Sequence, residues 1–402
     1  MQYYLAPMEG ITTYIYRNAY ARYFGHMDKY FTPFIASKKM NTREVRDILP
    51  ENNEGIEVVP QILTNKAEDF LAIAEKIASY GYQTVNLNLG CPSGTVTAKK
   101  RGAGFLSVPD QLDAFLYEIY EKCPLHISVK TRIGISDLAE WDTLLDIYAK
   151  YPLEELIIHT RLQQEFYTGK PHPEAYARAW DRLQHPAKMS GTAQIPSQNT
   201  VKTPDTVHTM RHTGYSEEHS CSGGGISLCY NGDIVSSDSL NILKAEWVTL
   251  NAALPDAVML GRGILRNPGL AGQLRAQDLT ASPLTAPPDY GQNTAPGNLL
   301  MDHAAHNIAA QPNHGINLEP CKTYKNAKQI WLDFHNEIFE NYRKIMSGDL
   351  PVLFKMKDLW TYMSQSFTDS DKYLKRIRKA DRISEYEISV NALFREQEII
   401  VS

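Results

Sequence analysis

Eight short apolar runs, separated by longer stretches with helical spacing, occupy the first 275 residues and constrain the fold more than any other feature. They are Tyr3–Met8, Tyr30–Ala36, Glu57–Leu63, Thr84–Leu89, His126–Thr131, Glu155–Thr160, Ile226–Tyr230 and Ala257–Leu260. Between them lie segments such as AEDFLAIAEKIASYG (67–81) and PDQLDAFLYEIYEK (109–122). Their apolar residues recur at three and four, the period of a helix with one buried stripe. Alternating strands and helices imply an α/β fold with a parallel sheet. Eight such units in about 270 residues have the size and rhythm of a (β/α)8 TIM barrel. A doubly wound sheet is the alternative that the pattern alone leaves open.

Composition removes several classes. With 43% hydrophobic residues the chain is not disordered as a whole. No run of eighteen apolar residues is present, so no membrane helix is expected. MQYYLAPMEG lacks the basic and long apolar regions of a signal peptide, so a cytoplasmic protein is expected, and a monomer. The cysteines, at 91, 123, 221, 229 and 321, are too few and too scattered for a disulfide framework. A formal net charge of −5 provides no global basic field, so polyanion binding must rest on a local patch.

Two stretches break the rhythm. Residues 186–225 are polar and without period, and 276–320 are rich in proline, asparagine and threonine. The first is expected to be an insertion, the second a linker. The insertion holds His208, His212, His219 and Cys221, but no Cys-x-x-Cys pair, and no metal site is expected. Beyond Pro320, Ile330, Trp331, Phe334, Ile338, Tyr342 and Ile345 share one helical face, and residues 321–402 are expected to form an all-α bundle.

The strand ends carry the chemistry. Active sites of such barrels lie at the strand C-termini, and seven of the eight expected strands end there in polar, glycine or proline residues. Taken singly, each has a plain structural explanation: Asn-Gly makes a turn, and a lysine at a strand end is usually solvated. Gathered on one rim, they indicate a site. The motifs are APMEGIT (6–12), PQILTN (60–65), NLNLGCPSG (86–94), KRGAGFL (100–106), SVKTRIG (128–134), IIHTR (157–161), CYNGDI (229–234) and VMLGRGIL (258–265), followed by MSGDLPVLFKMKDLW (346–360).

In these motifs and their order the chain resembles the tRNA-dihydrouridine synthases, FMN-dependent barrels with a C-terminal helical domain. The resemblance implies that NAD(P)H reduces FMN, which passes hydride to C6 of a tRNA uracil while an acid protonates C5. Cys91 matches that acid; a free thiol near pKa 8.5 keeps its proton at neutral pH. Lys130 matches the positive charge beside the pyrimidine edge of the flavin. Gln61 and Asn88 match donors around the ring, His159 lies on the same rim, and Pro7 and Met8 match the segment behind the ring. Asn231, Gly232, Asp233, Gly261 and Arg262 match the phosphate and ribityl site. Arg161 is assigned to RNA or the substrate uracil.

A stacked uracil must leave its stack to reach a buried flavin, which requires phosphate anchors. Lys375, Arg376, Arg378 and Lys379, within a run from Lys372 to Arg382, form one candidate; Lys99, Lys100 and Arg101 form a second. Three alternatives compete: an FMN barrel reducing a free pyrimidine, of the dihydroorotate dehydrogenase type; a non-catalytic tRNA-binding protein; and a phosphate-binding barrel lyase. The first needs neither bundle nor basic run, the second would not need Cys91 and Lys130, and the third needs no flavin.

Overall fold

The computed structural model describes residues 1–25, 27–184, 226–281 and 327–400. The insertion at 186–225 and most of the linker at 276–320 lie outside the described residues, as do His208, His212, His219, Cys221 and Cys321.

Eight parallel strands close into a barrel in chain order. They are β1 (Gln2–Leu5), β2 (Lys29–Ile35), β3 (Val58–Ile62), β4 (Thr84–Leu89), β5 (His126–Arg132), β6 (Glu155–His159), β7 (Ser227–Asn231) and β8 (Ala257–Leu260). β1 pairs with both β2 and β8, which closes the cylinder. The sequence places all eight. It overextends β1, which stops at Leu5 because Pro7 has no N–H to offer a ladder and the chain turns at Glu9-Gly10. In β2 the internal Pro33 coincides with a register shift between Phe31 and Phe34.

The connections hold α1 (Tyr14–Tyr23), α2 (Thr42–Ile48), α3 (Ala67–Ser79), α4 (Gly94–Thr97), α5 (Pro109–Lys122), α6 (Glu140–Tyr148) and α7 (Pro173–Gln184). After β7 come α8 (Ser237–Thr249), α9 (Arg262–Arg266) and α10 (Leu270–Ala281). The long helices bury the stripes read from the sequence. In α3 these are Ala67, Phe70, Ile73, Ala74 and Ile77; in α5 they are Leu112, Phe115, Leu116 and Ile119. Each large side chain so buried contributes about 1.5–3 kcal/mol. Helix α10 runs past residue 275, and its Asp278 accepts from Tyr3 Oη at 2.6 Å.

Strand alternation divides the barrel residues between two environments. Tyr3, Leu5, Val258 and Leu260 join the layer under the helices, whereas Tyr4, Ala6, Phe31, Val59, Ile157, Cys229, Ala257 and Met259 form a separate interior cluster. Two residues further along the same faces come Gln61, His159, Asn231 and Gly261. The interior thus passes from an apolar plug to a polar rim.

The C-terminal domain comprises α11 (Ala327–Ile345), α12 (Asp349–Met363), α13 (Asp371–Lys379) and α14 (Ile383–Glu396). Helix α11 buries Trp331, Phe334, His335, Ile338, Phe339 and Tyr342; Ile345 of the expected face is exposed at the helix end. Tyr386 Oη joins His335 Nε2 (2.6 Å) to Trp360 Nε1 (2.8 Å) in the bundle core. Burial lowers the His335 pKa to about 4, so the imidazole is neutral near pH 7. The bundle packs on the barrel. The Phe334 ring meets Phe24 and Tyr16 edge-on, at 5.1 and 5.6 Å between centroids, and Tyr342 Oη bonds Thr13 Oγ1 at 2.9 Å. No helix of the described residues is long and apolar enough to cross a membrane.

Candidate active site at the barrel rim

A cavity of about 460 Å³ opens at the C-terminal ends of the strands. Pro7, Met8, Gln61, Asn88, Cys91, Lys130, His159, Asn231, Gly232, Asp233, Gly261 and Arg262 all line it. The sequence therefore located every cofactor-site and catalytic candidate in one cavity. Such a volume is ordinary for a small-molecule site.

Its deep wall is a network of side-chain amides. Asn88 Nδ2 donates to Gln61 Oε1 (2.7 Å), Gln61 Nε2 to Asn86 Oδ1 (2.8 Å) and Asn86 Nδ2 to Ser128 Oγ (2.8 Å). A satisfied network of this kind holds each amide in one orientation. Asn88 also fixes the loop after β4, because its Oδ1 accepts from the backbone N–H of Gly90 (3.0 Å) and Cys91 (2.9 Å). Across the register from Asn88, Lys130 donates to Asn231 Oδ1 at 2.9 Å, and Asn231 donates on to Met259 O. Burial, with Arg132 nearby, lowers the Lys130 pKa to about 8.

Burial also lowers His159 well below its ordinary value, and Arg132, Lys130, Arg161 and Arg262 reinforce the shift. Arg161 Nη1 lies 3.3 Å from His159 Nε2. A guanidinium only donates, so Nε2 is the acceptor and the proton of this neutral ring sits on Nδ1. Burial raises the half-buried Cys91 thiol, outweighing the Ser93 N–H, Arg132 and Lys130, so Sγ keeps its proton at neutral pH. Gly102 allows KRGAGFL to pack behind it: φ is +53°, and a Cβ there would lie 2.8 Å from Cys91 O.

A second set of lining and supporting residues is built on arginines. Arg262 Nη2 donates to Asp233 Oδ1 at 2.6 Å, and Arg161 makes a two-pronged ion pair with the same carboxylate. Burial pushes the Asp233 carboxyl up, but the Arg161 hydrogen bond and the two guanidiniums outweigh it and hold it below the ordinary range. Asp233 lines the cavity, yet its oxygens are occupied by arginines, so its contribution to an anion site is to fix Arg262.

Arg161 departs from expectation. Its side chain is 2% exposed and is held by Asp233, His159 and Gly169 O. It therefore does not display its guanidinium on the surface; a guanidinium inside the barrel needs a carboxylate and a carbonyl to offset its desolvation. The other RNA candidates behave differently. Lys99 and Lys100 are exposed and Arg101 is half-buried, all on the loop after α4. In α13, Tyr373 and Ile377 face inward while Lys375, Arg376, Arg378 and Lys379 are exposed.

Three lining or supporting residues escaped the sequence reading. Arg132 donates to Gly90 O, Leu162 O and Phe166 O, tying the Cys91 loop to the loop after β6. The alternation of β5 could have revealed it, since it stands two residues beyond Lys130. Tyr167 lines the cavity beside His159, with the guanidinium carbons of Arg132 and Arg262 at 5.3 and 5.4 Å from its ring centre. Tyr362 lines it from α12, and no local sequence signal places a bundle residue there.

The chain is a (β/α)8 barrel whose charged and amide groups gather at the strand C-termini, the face on which such barrels carry their active sites. The dihydrouridine synthase (Dus) family model matches residues 4–179. The chain is 26% identical over 268 residues to "Probable tRNA-dihydrouridine synthase 2" of Bacillus subtilis (strain 168), covering 66% of this chain and 69% of that protein. It is 27% identical over 203 residues to the "Probable tRNA-dihydrouridine synthase" of Staphylococcus aureus (strain N315), covering 49% of this chain and 61% of that one. Residues 4–179 of the barrel are thus similar in sequence to the dihydrouridine synthases.

The donor set fits FMN. The amide groups and Lys130 suit the polar, electron-accepting edge of a flat ring, and Pro7 and Met8 offer an apolar surface. Gly232, Gly261 and Arg262 suit a phosphate, which glycine lets the backbone approach and arginine meets with a charged fork.

Proposed function

We propose that this chain is a tRNA-dihydrouridine synthase, which reduces the C5–C6 double bond of uridines in tRNA with FMN as carrier and NAD(P)H as reductant. One observation carries the reading: a proton-holding Cys91, a buried Lys130 and an arginine–glycine set share a single cavity. FMN, when bound, supplies the hydride that reaches uracil C6. Lys130, Asn88 and Gln61 hold the pyrimidine edge of the ring, while Gly232, Gly261 and Arg262 hold the phosphate. Cys91 Sγ keeps the proton that goes to C5, a role worth roughly 10²–10⁴ in rate. Neutral His159 and the paired Arg161 brace the wall behind them. On the outside, Lys375, Arg376, Arg378 and Lys379, with Lys99 and Lys100, meet RNA phosphates while the target base enters the cavity.

The purified protein is expected to be yellow, to release FMN on denaturation, and to form dihydrouridine in unmodified tRNA when given NADPH or NADH. Colourless protein that cannot be refilled with FMN, or flavoprotein that leaves the tRNA unchanged while reducing a free pyrimidine, contradicts the reading.

A further inference from the structure

The bundle reaches the cavity itself. Tyr362 of α12 stands among the lining residues with Met8, Ile11 and Gly261–Gly263. Seven residues earlier on the same helix, Lys355 Nζ donates to Gly10 O at 2.8 Å. Gly10 has φ +78°, and a Cβ there would sit 3.4 Å from that ammonium. It closes the turn that begins with Pro7, Met8 and Glu9, three lining residues. Just past the end of α12, Ser366 Oγ donates to Arg266 O at 2.6 Å. Arg266 ends α9, the five-residue helix that begins at Arg262.

We propose that the helical domain is part of the cofactor site: Tyr362 forms its outer wall, and Lys355 and Ser366 are positioning residues for the two barrel segments that grip the ligand. This inference rests on the FMN reading. Both segments lie beyond the strand ends, outside the ladder, where local opening is easiest. Each receives one hydrogen bond from the same neighbouring helix and the turn after it. Segments fixed before the ligand arrives bind more tightly, because less ordering remains to be done. A module that merely delivered RNA would need no contact with the turn behind the ring or with the helix at the phosphate end.

The test uses full-length protein stripped of flavin and titrated with FMN, read by quenching of flavin fluorescence and by the visible spectrum. Lys355→Met and Tyr362→Ala are each expected to weaken FMN binding about tenfold, equivalent to roughly 1.4 kcal/mol, and to shift the absorption band of the bound flavin. Tyr362→Phe, which keeps the ring, is expected to restore wild-type affinity and spectrum. Thr361→Ala, on the exposed side of α12 with its hydroxyl bonded to Lys357 O, is expected to change neither. Wild-type affinity and spectrum in both Lys355→Met and Tyr362→Ala overturn the proposal. If Lys355→Met fails to fold, the Tyr362→Ala and Tyr362→Phe pair decides alone. Wild-type protein that binds no FMN overturns the functional reading instead.

Discussion

Arg161 at the barrel rim and Arg376 on α13 carry the same charge in opposite settings. Arg161 is enclosed and committed to a carboxylate, a carbonyl and an imidazole. Arg376 is exposed, and no ion pair joins it to another described residue. The contrast extends to their neighbours. At the rim, burial lowers Lys130 and Arg132 is fixed on three carbonyls, whereas Lys375, Arg378 and Lys379 project from a helix anchored by Tyr373 and Ile377. Buried cations have fixed directions and suit a small ligand of fixed shape. Exposed cations keep their freedom and suit a polyanion whose binding exchanges counterions.

The largest effect that sharpens this comparison belongs to Cys91, the proton-holding thiol of the rim. Cys91→Ala is expected to lower uridine reduction roughly 10²–10⁴-fold while leaving flavin reduction by NAD(P)H near wild type, measured by stopped-flow absorbance. An equal fall in both half-reactions would make Cys91 structural.

A smaller effect concerns pH. Lys130 falls to about 8 from its ordinary 10.5. The unfolded chain therefore binds more protons between those values, so burying Lys130 costs stability below about pH 8 and the cost is relieved as pH rises toward 10.5. Its charge fades over the same interval. Flavin reduction is accordingly expected to decline above pH 8, by up to about tenfold per pH unit for a single ionisation, and Lys130→Met is expected to flatten that limb. A wild-type profile already flat to about pH 9.5, midway through that interval, would show that the charge is not used.

The smallest effect lies far from both sets of cations. Gln184 Nε2 donates to Ile226 O at 2.6 Å, so the residues flanking the insertion meet. Helix-to-strand connections lie on the face opposite the site. Deleting residues 190–222 is expected to leave FMN content unchanged and to shift stability by no more than about 1 kcal/mol, read by thermal melting. Loss of folded protein would show that the segment belongs to the core.

The barrel is legible in the sequence because its apolar runs are short, separated by helical stripes and eight in number. Cys91, Lys130, Asn231 and Arg262 are legible because strand ends define the rim. Arg161 is not, because position alone cannot say whether a guanidinium finds a carboxylate, and Asp233 lies 72 residues away. Arg132 sits in the SVKTRIG motif, but its three carbonyl partners belong to two other loops that the motif does not specify. Tyr362 depends on how two domains dock, and nothing within α12 announces it.

On this account, the cations that line the rim cavity hold the cofactor and those exposed on α13 hold the RNA. The direct measurement is a pair of affinities, for FMN and for tRNA at several salt concentrations, on two variants. Arg262→Ala removes a charge-assisted hydrogen bond worth about 1.5–3 kcal/mol, so FMN binding is expected to weaken while the slope of log K against log salt for tRNA stays at the wild-type value. Replacing Lys375, Arg376, Arg378 and Lys379 with alanine is expected to do the reverse, reducing that slope by about 0.7–0.9 for each phosphate no longer neutralised and leaving FMN affinity intact. Equal salt slopes in the quadruple variant and wild type would contradict the account and return RNA binding to the barrel rim around Lys99 and Lys100.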